Sequence, residues 1–187
     1  MTDVLAINGF DLTLEDVERV ATGALEVTLG PDARRRMAAS RATLAELVDA
    51  GETVYGVTTG FGALASERID PAQARRLQEN LVTSHAAGVG APLDRAAVRA
   101  MLLLRANTLA RGQSGCRPEL VGRLLDFLRL GIHPIVPEQG SVGASGDLAP
   151  LAHLAAPLLG RGQVDVNDMR PIGFLAYSLR PPRPGRG

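Results

Sequence analysis

Lysine is missing from all 187 residues, and the 20 basic side chains are arginines. That removes a Schiff-base lysine and the lysine of a P-loop from consideration. Tryptophan is absent and aromatic residues make up only 3%, so Leu, Ala and Val have to fill any interior. Net charge is zero, 20 basic against 20 acidic residues, which gives no electrostatic case for nucleic acid or an anionic membrane surface. The single cysteine, Cys116, cannot form an intrachain disulfide and points to a reducing setting. No apolar run reaches the ~18 residues that suggest a membrane span, and no secretory signal pattern opens the chain. A soluble, cytoplasmic protein is the expectation.

What is present is a 45% apolar chain, long enough for one domain with a core, or a domain with an appendage. Its punctuation is mostly helical. Asn8-Gly9 predicts a small hairpin or an extended segment near the start. Thr13 caps a short helix ending near Gly23, and Pro31 opens a longer one that stops at Gly51. Residues 53–62, TVYGVTTGFG, read as a short strand or an extended loop. Asp70-Pro71 starts a helix running to about Gly88, Asp94 caps one that is apolar over most of its circumference, and Pro118 starts another. Residues 132–139 hold two prolines and must be extended. No β-α-β alternation is evident, so the expected class is mainly α. After about Gly162 the texture changes. Residues 170–187 hold four Arg, four Pro and three Gly, a composition that resists helix and sheet. Two units are therefore expected, a domain over 1–162 and a poorly ordered tail over 163–187.

The stretch GSVGASGDLAP, residues 140–150, concentrates the smallest side chains between a proline-rich entry and an apolar helix. It fits neither phosphate-binding pattern: the spacing is wrong and there is no lysine. A closer match is GFGALA at 60–65, but Asp70-Pro71 restarts the helix several residues too late for a dinucleotide fold. A plain tight turn is the second possibility for residues 140–150, and the third is that the backbone itself reacts. In Ala144-Ser145-Gly146 the glycine supplies an unhindered amide nitrogen and tolerates strained angles. Attack of that nitrogen on the Ala144 carbonyl carbon, with loss of water, closes a five-membered ring. Loss of the Ser145 hydroxyl as a second water leaves an exocyclic methylene. The product is an electrophilic alkene made without metal or nucleotide.

The other polar candidates have plainer readings when taken alone. His85, His133 and His153 show no metal-ligand spacing. His133 precedes a proline in an extended link and reads as surface or structural. His153 lies on an apolar helix and reads as a satisfied core residue. His85 ends a helix beside small residues and also reads as structural. Tyr55, between Val54 and Gly56, reads as a half-buried aromatic, and acts as a proton carrier only if its pKa falls from about 10.

Several long motifs, in order, alter that reading. GSVGASGDLAPLAH, YGVTTGFG, LQENLVTSHAAGVGAP, LLLRANTLARGQSG and GIHPIVPEQGS resemble segments of the aromatic amino acid ammonia-lyase family, over roughly residues 50–160. The resemblance implies a 4-methylidene-imidazol-5-one formed from Ala144, Ser145 and Gly146, with Tyr55 as acid and base. It also implies a substrate-binding His85, in the place where histidine-using members set a side chain against the substrate ring. The expected reaction is elimination of ammonia from L-histidine to give urocanate, in a homotetramer whose subunits complete each other's sites. A tyrosine or phenylalanine lyase, an aminomutase, and a truncated, inactive lyase fragment are the alternatives.

Overall fold

The computed structural model of the protein describes residues 3–60, 69, 71–142 and 146–166. Six helices dominate these residues: α1 (Leu14–Ala21), α2 (Pro31–Asp49), α3 (Pro71–His85), α4 (Arg95–Ala110), α5 (Pro118–Leu130) and α6 (Leu148–Ala155). Six short strands accompany them: β1 (Val4–Ile7), β2 (Glu26–Leu29), β3 (Val89–Pro92), β4 (Ile132–Pro134), β5 (Pro137–Gln139) and β6 (Val164–Val166). The mainly α expectation holds.

The helix starts obey the capping chemistry legible in the sequence. Thr13 Oγ1 accepts from the Asp16 amide at 3.1 Å while the Asp16 carboxylate accepts from the Thr13 amide at 3.1 Å, so each satisfies an orphan donor of α1. Asp94 Oδ1 accepts from the Ala97 amide at 2.7 Å at the start of α4. Pro31 and Pro118 occupy first-turn positions, where no amide hydrogen is needed. Pro157 has the opposite effect. Lacking an N–H, it cannot continue the α6 ladder, and the chain tightens into a 3-10 turn over Ala156–Leu159.

At the beginning of the chain the extended alternative holds, as β1, and the hairpin does not. Asn8-Gly9 does not close a hairpin. The Asn8 carbonyl oxygen of the side chain accepts from the Phe10 amide at 2.8 Å and the Asp11 amide at 3.2 Å, turning the chain into α1. β1 pairs instead with β2, in parallel and in register from Val4 opposite Glu26 to Ile7 opposite Leu29. One short β-α-β unit therefore exists where no alternation was expected. The other two pairs are antiparallel, β3 with β5 and β4 with β6. The last joins Val164–Val166, at the head of the 163–187 segment, to Ile132–Pro134. Residues 167–187 lie outside the described residues.

The core sits between α4 and α5, closed by α1, β1, β2 and the first half of α2. Leu102, Leu103 and Ala106 of α4, Val121 and Phe127 of α5, Val20, Ala33 and Met37 are fully or almost fully buried. Burying each Leu contributes roughly 1.5–3 kcal/mol. Arg99 reaches in from α4 and donates from Nε to Val20 O at 2.8 Å and from one Nη to Leu128 O at 3.1 Å. One guanidinium thus satisfies the last turns of both α1 and α5. α3 lies outside this core and packs on α6 and the 3-10 turn.

Candidate active site

The segment between α2 and α3 is a turn over residues 55–58, organised by two threonines. Thr58 Oγ1 accepts from the Val54 amide at 2.8 Å and donates to Glu52 O at 3.1 Å. Thr59 Oγ1 accepts from the Gly56 amide at 3.1 Å and donates to Gly60 O at 3.0 Å. These hydroxyls stand in for a strand ladder, so the segment is a loop rather than a strand. Thr59 is buried, whereas Tyr55 is 63% exposed. Gln78, on α3, donates from Nε2 to Gly56 O at 3.0 Å and fastens the Tyr55 turn to that helix.

His85 ends α3. Its Nδ1 lies 2.8 Å from Leu81 O, one helical turn back. A carbonyl can only accept, so Nδ1 carries the hydrogen and, in the neutral ring, Nε2 is left as an acceptor. The Ser84 hydroxyl is a more distant neighbour of Nδ1, at 3.3 Å.

Immediately after His85 the chain meets the element that follows the Ala-Ser-Gly triplet. The Gly88 amide donates to His153 Nε2, on α6, at 3.0 Å. A Cβ on Gly88 would lie 3.1 Å from that nitrogen and 3.2 Å from Gln139 O. A Cβ on Gly140 would lie 3.0 Å from Gly88 Cα and 3.2 Å from the Ala149 methyl, with Gly140 at φ +152°. Three backbone segments converge here because two of them carry no side chain. Burial pushes the His153 pKa down from 6.5, which favours the neutral ring that can accept this bond. Arg161 braces the same region by donating to Thr83 Oγ1 and approaching Glu79 Oε2 at 3.5 Å, both on α3.

Gly146 opens the last approach to α6. It stands at φ +143°, exposed, with open space where a Cβ would be. Ser141 Oγ donates to Asp147 Oδ1, just ahead of α6. Ala144 and Ser145 lie outside the described residues, as do residues 61–65 of the glycine pattern. Among the described residues no group of three or more His, Cys, Asp or Glu could hold a metal ion. No helix among them is long and apolar enough to cross a membrane.

Two of the predicted site residues are thus tied to one helix, Tyr55 through Gln78 and His85 directly. The last turn of α6, the helix that follows Gly146, is tied to the same region by the Gly88–His153 bond. Sequence reasoning named Tyr55, His85 and Gly146 but not the groups that hold them: Gln78, Gly88 and Arg161. His153, read as a satisfied core residue, finds its partner in a backbone amide 65 positions away, a distance no local spacing reveals.

Residues 12–174 match the family model described as aromatic amino acid lyase. The chain is 56% identical over 161 residues to a histidine ammonia-lyase of Anaeromyxobacter dehalogenans, covering 86% of this chain and 32% of that protein. Its fold matches the crystal structure of histidine ammonia-lyase from Trypanosoma cruzi with a TM-score of 0.80 and 36% identity, over 94% of this chain and 34% of that one. It also matches tyrosine aminomutase from Streptomyces globisporus with a TM-score of 0.81 and 36% identity, over 92% and 33% respectively. The chain spans about a third of the length of the curated relatives it matches. The match takes in the segments before residue 50 as well, and the chain belongs to the aromatic amino acid lyase family.

Proposed function

We propose that this chain carries the electrophile-forming part of an ammonia-lyase that converts L-histidine to urocanate and ammonia. The observation that carries the reading is the 56% identity to a histidine ammonia-lyase across a stretch that includes Tyr55, His85 and the 144–146 triplet. Gly146 fits the self-formed 4-methylidene-imidazol-5-one. Its backbone adopts an angle that L side chains rarely adopt, and nothing crowds it. Ala144 and Ser145 would supply the carbonyl and the dehydrated side chain. When present, the group supplies an electron-poor alkene that binds the substrate amine and makes nitrogen a better leaving group.

The chain's own side chains then have separable tasks. His85 offers Nε2 as an acceptor, because Nδ1–H is committed to Leu81 O. An imidazole N–H of L-histidine is a suitable donor to it. Tyr55, on a turn held at both ends, brings a hydroxyl able to move a proton, a contribution of about 10²–10⁴ in rate for a positioned acid or base. A homotetramer, with the remainder of each site supplied by neighbouring subunits, is part of this proposal. So is the cytoplasmic setting.

The same His85 acceptor suits a phenol O–H, and the likeness to a tyrosine aminomutase supports tyrosine as the second substrate to test. Intact mass separates the chemistry from its absence. Wild-type chain should be two waters lighter than its sequence, and Ser145→Ala should retain both waters and lose near-ultraviolet ring absorbance. An unprocessed wild-type mass would overturn the electrophile. A processed chain that eliminates ammonia from L-tyrosine but not L-histidine would overturn the substrate.

A further inference from the structure

We propose that His153 is a positioning residue: a neutral imidazole, protonated on Nδ1, whose Nε2 accepts the Gly88 amide and so fixes the segment after His85 against the helix that Gly146 leads into. The functional weight of this inference rests on the ammonia-lyase reading; its geometric content does not.

Four observations converge on it. The bond itself is of ordinary length and joins backbone to side chain across 65 residues, 3.0 Å from Gly88 N to Nε2. The approach depends on the missing side chain of Gly88, since a Cβ there would lie 3.1 Å from Nε2 and 3.3 Å from Cδ2. The Gly88 amide precedes the β3–β5 pairing, which starts at Val89 opposite Gln139, so the imidazole occupies the acceptor position one residue before the strand. Finally, burial disfavours the charged ring, and a charged ring would present a second donor to the Gly88 N–H.

His153 stands five residues into a helix whose first residue is Leu148, about 8 Å along the axis from its start. His85 stands three residues before Gly88. A side chain that locks Gly88 to α6 therefore sets the separation between the two halves of the proposed site without touching substrate. A partly buried histidine serving packing alone would tolerate any side chain of similar bulk.

The test uses the 187-residue chain, labelled with nitrogen-15, and the variants His153→Gln and His153→Leu. Gln can place an amide oxygen near the position of Nε2; Leu offers comparable bulk and no acceptor. Two-bond proton–nitrogen correlations should show His153 protonated on Nδ1. Exchange of the Gly88 amide should stay within about threefold of wild type in His153→Gln and quicken by about tenfold in His153→Leu. The fraction of chains that have lost two waters should fall in His153→Leu and recover in His153→Gln. An Nε2-protonated tautomer, or equal Gly88 exchange in all three proteins, would overturn the proposal. Should His153→Leu not fold, the wild-type tautomer and Gly88 protection in His153→Gln decide it. If no protein loses water while the exchange pattern holds, the lyase chemistry fails and the role of His153 in fixing Gly88 stands.

Discussion

Arg95 and Asp165, 70 residues apart, meet at two points: Nε lies 2.6 Å from Oδ2 and an Nη lies 3.0 Å from Oδ1. The pair joins the first turn of α4 to β6, and through β6 to β4. Two parallel contacts of this kind fix geometry better than a single ion pair.

Hydrogen bonding from Arg95, outweighing a smaller cost of burial, holds the Asp165 carboxyl below its usual 3.8. The folded pKa is thus lower than the unfolded one. The contribution of the pair is complete above about pH 4 and is lost as pH falls through the folded value. Asp165→Asn should lower the melting temperature near neutrality, and the gap to wild type should close in stronger acid. High salt should narrow it too, since both side chains are partly exposed. Thermal unfolding across pH and salt checks this.

His133, opposite Asp165 on β4, is 2% exposed, and neither ring nitrogen makes a well-formed hydrogen bond. Burial, then Arg99 and Arg95 on α4, push its pKa below 6.5, while Asp165 on β6 acts in the other direction. The unfolded chain therefore takes up a proton first on acidification. Stability should be complete above about pH 6.5 and decline as pH falls toward the folded value. His133→Leu removes both the buried polar atoms and this proton. It should equal or exceed wild type at neutrality and lose less stability at about pH 5.5, in denaturant titrations at the two values.

Gly140→Ala should be costly. The new methyl would sit 3.0 Å from Gly88 Cα, a backbone atom that cannot rotate away, at a φ of +152°. Strain and overpacking together predict a loss of roughly 1–3 kcal/mol. A lower denaturation midpoint with unchanged slope would confirm it.

Gln78→Leu should leave the core intact and loosen the Tyr55 turn. The Gln78–Gly56 bond is exposed, so the global cost should stay within about 0.5–1.5 kcal/mol. Amide exchange across residues 54–59 should quicken while that of α4 and α5 stays unchanged.

Legibility followed the range of the interactions. Thr13, Asp94, Pro31 and Pro118 act within four residues of themselves, and all four marked true helix starts. Pro134 and Pro137 likewise foretold extended backbone. The parallel β1–β2 pair was hidden because four-residue strands around an amphipathic helix leave no periodicity to count, and Asn8-Gly9 imitated a hairpin. The site divides the same way. Tyr55 and His85 were legible through resemblance to family motifs rather than through spacing. Gly88 and His153 are adjacent only in three dimensions, so neither residue betrays the other. The apolar circumference of α4 was legible as burial, whereas the carbonyls that Arg99 reaches were not.

None of the described side chains of α3 enters the buried core; the helix that bears His85 and Gln78 rides on the surface of α6 and the 3-10 turn. Exchanging the outward-facing residues of that helix should therefore leave the α4–α5 foundations standing.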